Sequence, residues 1–252
     1  ELNNIFLDEI NDFKSLFIDF PYKNFIKLND ECKNLVKNAQ NNASIQFKIG
    51  QSLIEGINQF PQNTQIGKHY LKKSFNNGYI DSMIYYCKML IKGNILPQNL
   101  NKAMKIVQEK IKNKAINLYL LGKISKKKKD YVEAQKLFKG SISLKNAEAM
   151  YEYGKMLFKD ISSPSNKEKA IEYFLMSIDN DCPKAMFKYG LILMNKDEMK
   201  QDIETGIYYI KKAAEKGYVK AIFHYASILE NGYGIQIDKI EAKRYYKEAA
   251  IK

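Results

Sequence analysis

Two histidines, three cysteines and a run of four lysines are the side chains with which this chain of 252 residues could most readily do chemistry. His69 stands beside Tyr70 in one helical pattern and His224 lies on the outer stripe of another, and no carboxylate or nucleophile sits at a spacing that converges on either. General acid–base and covalent catalysis both need such a constellation, so neither is expected. Cys32, Cys87 and Cys182 have no short metal-ligand spacing, and an odd number of distant thiols makes a poor disulfide framework. They fit a reducing compartment such as the cytoplasm, with the endoplasmic reticulum or an organelle as the alternative if an N-terminal signal has been removed. There is no Walker loop, no dinucleotide fingerprint and no zinc-protease motif. The expectation is therefore a chain with no catalytic residues, no bound metal and no cofactor.

Charge offers a second chemistry. The formal net charge is +13, yet of the 41 basic residues only Arg244 is arginine. Planar recognition of phosphate or guanine uses the arginine fork, whereas lysine supplies a point charge on a flexible stem. Nucleic acid is thus an unfavoured partner. The run Lys126 to Lys129 reads as a solvated turn in preference to a phosphate site. No apolar run is long enough for a spanning helix. Asn42-Ala43-Ser44 fits a glycosylation acceptor, which carries weight only in a secreted protein.

The elements that must position these residues recur at a fixed interval. Segments beginning at Ala149, Ala185 and Ala221 read AMYEYGKML, AMFKYGLIL and AIFHYASIL, each 36 residues after the last. A period of this size with two helical patterns per copy marks an α-solenoid. One small residue, here called the anchor, locates the first helix of each unit: Gly50, Cys87, Gly122, Gly154, Gly190 and Ala226. The second helices have their own in Gly67, Ala103, Ala134, Ala170, Gly206 and Ala242. Glycine inside a helix costs roughly 1 kcal/mol against alanine, so its recurrence at one site implies close approach of another helix. Gly56, Gly93 and Gly232 are expected as helix C-caps, Pro61, Pro97 and Pro164 as links, and Asp181 as an N-cap. Leu7 to Phe20 and Asn24 to Gln40 read as two helices of an N-terminal cap or degenerate repeat. The boundaries expected are 1–41 for the cap, then units over 42–79, 80–114, 115–146, 147–181, 182–217 and 218–252.

The pattern Ala-x-x-x-Tyr-Gly-x-x-Leu, then Gly-x-Gly-Ile, then Asp-x-x-(Lys/Glu)-Ala-x-x-Tyr-Tyr-x-x-Ala-Ala resembles the Sel-one-like repeat (SLR), a relative of the tetratricopeptide repeat. The last unit carries it in Ala221, Tyr225, Ala226, Leu229, Gly232, Gly234, Ile235, Asp238, Glu241, Ala242, Tyr245, Tyr246, Ala249 and Ala250. The resemblance spans about residues 42 to 252, is closest in the last three units, and weakens in the second and third, where Cys87 replaces the anchor glycine. It implies an all-α fold, a right-handed α-α superhelix (solenoid) of about six helix-turn-helix repeats behind an N-terminal helical cap. It also implies an adaptor or scaffold in place of an enzyme.

Residues at one, four and five before the anchor and two and three after it share one face of a wheel turning about 100° per residue, and they are expected to form the core. The aromatic row three before the anchor, Phe47, Tyr119, Tyr151, Phe187 and Phe223, is read as packing. What remains is a stripe of variable composition that would line the concave side. Its candidate partner-binding residues are Lys48, Tyr85, Lys88, Ile116, Leu120, Lys123, Glu152, Lys155, Lys188 and His224. Ile116 and Leu120 beside Tyr85 would anchor a partner's side chain, or else pack on an irregular third unit. The leading reading is a non-catalytic scaffold holding another protein or peptide, within a larger assembly or alone. The alternatives are a basic scaffold for nucleic acid or an anionic membrane surface, and a regulatory extension of an enzyme such as a kinase in a longer chain. A face of Tyr245, Tyr246 and Ala249 is expected to be completed by further residues, another copy or a different subunit.

Overall fold

Asparagine and aspartate start most of the helices, because a short side-chain oxygen can accept the backbone N–H groups that a first turn leaves unpaired. Asn42, Asn63, Asn99, Asn113, Asp130, Asn146, Asp202 and Asp238 each accept from the N–H three residues on. The computed structural model describes residues 27–159, 164–195 and 202–251. Among them are thirteen helices and no strand. The helix expected over Leu7 to Phe20 lies outside the described residues. Of the next, α1 (Asp30–Lys37) is described, with Asn29 as its N-cap.

Two compact units divide the chain, residues 1–111 and 112–252. In the first, α2 (Ala43–Glu55) pairs with α3 (Thr64–Asn76), and α4 (Ile80–Lys92) with α5 (Leu100–Lys110). Helix α1 covers the open side of the first pair, where Leu28, Cys32 and Val36 pack with Ile49, Leu53 and Tyr70. In the second unit the pairs are α6 (Lys114–Lys127) with α7 (Tyr131–Ile142), α8 (Ala147–Lys159) with α9 (Pro164–Asp179), α10 (Pro183–Met194) with α11 (Ile203–Glu215), and α12 (Val219–Asn231) with α13 (Lys239–Ile251). Within that unit each second helix also packs on the first helix of the following pair. The chain is an all-α repeat solenoid of six hairpins.

The anchors occupy equivalent turns of the six first helices, and all six are buried. Their smallness is required by the partner helix. A Cβ on Gly190 would lie 2.7 Å from the Gly206 carbonyl oxygen, and one on Gly206 would lie 2.9 Å from the Gly190 oxygen. Gly50 and Gly67 make the same reciprocal approach, at 3.0 and 2.9 Å. Beside Gly122 and Gly154 the rings of Phe138 and Phe174 take that space, and where the second pair has Cys87 its Sγ does, 3.9 Å from the Ala103 carbonyl oxygen. Burial pushes that thiol up to about 12, which leaves it protonated and inert.

Three tyrosine pairs repeat the 36-residue step across the hairpins of the second unit. Tyr153 meets Tyr173, Tyr189 meets Tyr209 and Tyr225 meets Tyr245, with centroids 4.8, 5.2 and 5.0 Å apart and rings edge to face. Three buried serines tie second helices to first ones. Ser74, Ser141 and Ser177 donate to the carbonyls of Ala43, Ala115 and Ala147 at 2.6, 2.7 and 2.8 Å.

The turns correct the sequence reading in three places. Gly56, Gly93 and Gly232 do close their helices, with φ of +70°, +76° and +67°. Pro164, however, is the first residue of α9, not part of the link, a place where the missing N–H costs no hydrogen bond. The N-cap of α10 is Cys182, because Asp181 turns the chain in the left-handed region at φ +66° and pairs with Lys216. The lysine run is half helix: α6 continues through Lys127, Lys128 caps it, and Lys129 takes the left-handed position at φ +65°.

Candidate partner-binding surface

The variable stripe of the first helices becomes a connected surface in the second unit. Glu148 on α8 accepts from Lys184 on α10 at 2.8 and 3.0 Å, and from the Tyr119 hydroxyl on α6 at 3.3 Å. Glu152, one turn on, accepts from Lys126 at 2.7 Å, with Lys155 3.8 Å from its other oxygen. Burial alone would raise the Glu152 carboxyl, but Lys126, Lys155 and Lys123 outweigh it and hold the group below the ordinary carboxylate range. Burial holds Lys155 below its usual value despite Glu152, with Lys126, Lys159 and Lys184 adding to the effect. Lys184 is raised, because Glu148 more than offsets the cost of its burial. The Tyr119 hydroxyl is held well up by burial and then by Glu148 and Glu152.

Two further lysines lie on rings of this face. Lys123 sits 5.5 Å from the centroid of Tyr119, and Lys188 sits 4.4 Å from that of Phe158. The face of α6, α8 and α10 thus carries Lys123, Lys126, Lys155, Lys184 and Lys188 against Glu148 and Glu152, an excess of three positive charges. Both glutamates are engaged by lysines of the same face.

Among the other sequence candidates, Lys48 and Lys88 are exposed on α2 and α4. Tyr85 is half-buried: its hydroxyl donates to Glu55 at 2.8 Å, and burial followed by that carboxylate raises its pKa. Ile116 is half-buried, whereas Leu120 has no exposed surface. Leu120 therefore cannot receive a partner's side chain, and the apolar anchor expected there is withdrawn. A helical wheel assigns direction but not depth, and at this turn of α6 the stripe passes under neighbouring residues. His224 is exposed, with its ring 5.0 Å from that of Phe187; burial of part of the ring and Lys220 lower its pKa. His69 is exposed beside Tyr70. No cluster of metal-ligating side chains occurs among the described residues. None of the described helices is long and apolar enough to cross a membrane. The one arginine, Arg244, donates from Nε to Glu241 at 2.9 Å and lies 4.5 Å from the Tyr245 ring centroid, so its fork is already engaged.

The aromatic row packs within its own hairpin at Tyr119 and Tyr151, whose rings stand 6.4 and 6.1 Å from Phe138 and Phe174, and on the following hairpin at Phe47 and Phe187. Phe47 stands 5.6 Å from Tyr79 and 5.8 Å from Tyr85 of the following pair, and Phe187 stands 5.5 Å from Tyr218 and 5.0 Å from His224. Tyr79 and Tyr218 both precede a first helix by one residue, and Tyr85 and His224 occupy the same turn of it. The same clamp is built once in each unit.

A model of the Sel1 repeat family matches the chain six times, over residues 43–79, 80–106, 115–144, 147–182, 183–218 and 219–252. The chain belongs to the Sel1 repeat family. Proteins with Sel1 repeats generally serve as scaffolds for protein interactions and are typically non-catalytic. Solved structures agree on the fold. A Sel1 repeat protein from Oxalobacter formigenes is 20% identical, with a TM-score of 0.55 over 83% of this chain and 88% of that one. A protein of Pseudomonas aeruginosa is 15% identical, with a TM-score of 0.62 over 82% of this chain and 81% of its own. A protective antigen of uropathogenic Escherichia coli with an SLR fold is 20% identical, with a TM-score of 0.52 over 85% of this chain, which spans 47% of the antigen. Among curated proteins none matches the chain.

The serine struts and the charge pairs between successive first helices were not read from the sequence. Ser141 and Ser177 do stand 36 residues apart, and so do Glu148 and Lys184. Periodic polar positions within an apolar pattern were the available signal.

Proposed function

We propose that this chain is a non-catalytic scaffold that holds an acidic segment of a partner protein against the first-helix stripe of its second unit. The observation that carries the reading is the charge arrangement on α6, α8 and α10. The two glutamates satisfy lysines of the same face, and five lysines stand around them. A surface so arranged is preorganised, because Lys126 and Lys184 are already fixed by hydrogen bonds and lose little freedom when a partner arrives. Complementary charge adds more to specificity and association rate than to raw affinity, which suits an adaptor. Such a stripe would favour carboxylate-bearing helices or peptides with a few apolar contacts.

The test is capture of partners by the full chain, comparing Lys123→Glu/Lys188→Glu with Lys136→Glu/Lys211→Glu. The second pair changes net charge equally but lies on the second helices α7 and α11, where both lysines are exposed. Loss of the captured protein with the stripe pair alone is the expected result. Equal loss with both pairs, together with a steep fall of binding as salt rises, would replace the reading with attraction between net charge and a polyanion.

A further inference from the structure

The clamp on the aromatic row is complete at Phe187 and incomplete at Phe223. Phe187 is 8% exposed between Tyr218 and His224, whereas Phe223, one repeat later in the same position, is 55% exposed. Around it Val219, Lys220, His224, Tyr246 and Ala249 line an open depression between α12 and α13. Tyr246 forms its wall, with ring centroid 5.4 Å from Phe223, and is itself held by donation to Glu230 at 2.8 Å. Tyr245, expected on this face, instead points inward at 6% exposure and packs on Tyr225. The depression therefore has the form of an inter-hairpin interface with one side exposed.

The two interfaces of this protein that bury a phenylalanine at this position show what could fill it. In both observed clamps the covering helix supplies a residue just before its start, Tyr79 or Tyr218, and an aromatic or imidazole ring six residues later, Tyr85 or His224. Between them, two residues after the first, stands the position that meets its equivalent on the neighbouring helix. Lys184 and Glu148 occupy it on α10 and α8 and form an ion pair. On α12 that position is Lys220, which is exposed. A covering helix would thus read Tyr-x-Glu/Asp-x-x-x-Tyr, the spacing that Tyr79, Asp81 and Tyr85 already show on α4. A second copy of this face is a poor occupant: its lining carries Lys220 and no carboxylate to pair with it, and the nearby carboxylate of Glu230 is engaged by Tyr246.

We infer that the exposed face of α12 and α13 is a docking site for an acidic amphipathic helix of a partner protein, seated as one more first helix of the array with rings on either side of Phe223 and a carboxylate on Lys220. The site lies on α12 and α13 and shares no residue with the charged face of α6, α8 and α10, so the two can fail or hold independently.

A labelled synthetic peptide copying residues 78–93, with Cys87→Ala, Lys88→Glu and Lys92→Glu, serves as the probe, and fluorescence anisotropy with the full chain as the readout. Saturable binding is expected, weakened about tenfold or more by Phe223→Ala, since central aromatic contacts dominate such interfaces. Lys220→Glu should weaken it as well, and a second peptide carrying Asp81→Lys should bind that variant better than the wild type. Both protein residues are exposed, so circular dichroism should show unchanged helix content. Absence of saturation up to about 1 mM peptide, or equal affinity for Phe223→Ala, overturns the inference. So does a concentration-dependent dimer in sedimentation that Phe223→Asp abolishes, which would give the face to a second copy.

Discussion

Replacing Gly190 by alanine sets two known effects against each other. Alanine inside a helix is favoured over glycine by about 1 kcal/mol, so propensity alone predicts a more stable protein. The structure predicts the reverse. The added Cβ would stand 2.7 Å from the Gly206 carbonyl oxygen, 2.8 Å from Ile210 Cγ1 and 3.3 Å from the Ile210 nitrogen. Two of these are backbone atoms, and Ile210 is fully buried, so no side chain can swing away. Ordinary contact begins near 3.4 Å, and α10 and α11 must part by several tenths of an ångström to reach it. Overpacking of a closed core costs about 1–3 kcal/mol, and a clash with backbone belongs at the upper end. The net expectation is a loss of about 1–2 kcal/mol, and a melting temperature lower by at least about 2 °C. Gly140→Ala on α7 is the control, because its Cβ would meet only the end of Leu118, Cδ1 at 3.3 Å. That change should stabilise by up to about 1 kcal/mol. Urea midpoints and thermal melts by far-ultraviolet circular dichroism give both numbers. If Gly190→Ala stabilises as much as Gly140→Ala, the close approach of the paired helices is not what the anchor glycine is for.

Two further changes address the network and the struts. The Glu152 carboxyl is lowered in the folded protein, so its contribution is present above the ordinary carboxylate range, about pH 4.3, and is lost as pH falls through the lowered value. Glu152→Gln should therefore reduce stability at pH 7 and flatten the acid limb of the stability profile, measured by urea unfolding from pH 7 down to about pH 3; a parallel profile would mean that the lysines around it contribute nothing. Ser177→Ala removes a buried donor from the Ala147 carbonyl and should cost about 1 kcal/mol, read from the same urea midpoints, with no effect on partner capture.

The fold was legible because its signal is one-dimensional. A small residue is required wherever two helices of a hairpin touch, and the hairpins recur, so Gly50, Gly122, Gly154, Gly190 and Ala226 mark the turns that the structure brings into contact. The surface was less legible. A wheel drawn on one helix places Leu120 in line with Lys123 and Ile116, yet Leu120 is fully buried and Lys123 lies over a ring. How far neighbours rise around a position depends on side chains from other helices, which the wheel does not contain. The pairing of Glu152 with Lys126, 26 residues away across two first helices, is likewise invisible to any single-helix pattern. At Pro164 and Cys182 the misreading is local: proline and a left-handed aspartate both suit the residues flanking a helix start, and only the backbone decides which residue is the cap.

The point at which a partner touches the chain decides most directly whether the stripe is a binding surface. A photoactivatable amino acid placed singly at Lys123 and Lys188 on the stripe, and at Lys136 and Tyr208 on exposed parts of the second helices, would map that contact in the intact protein. Crosslinks to one protein from the first two positions and not from the others are the predicted result. Crosslinks from Lys136 and Tyr208, with none from Lys123 or Lys188, would place the working surface on the opposite side of the repeats and contradict the account.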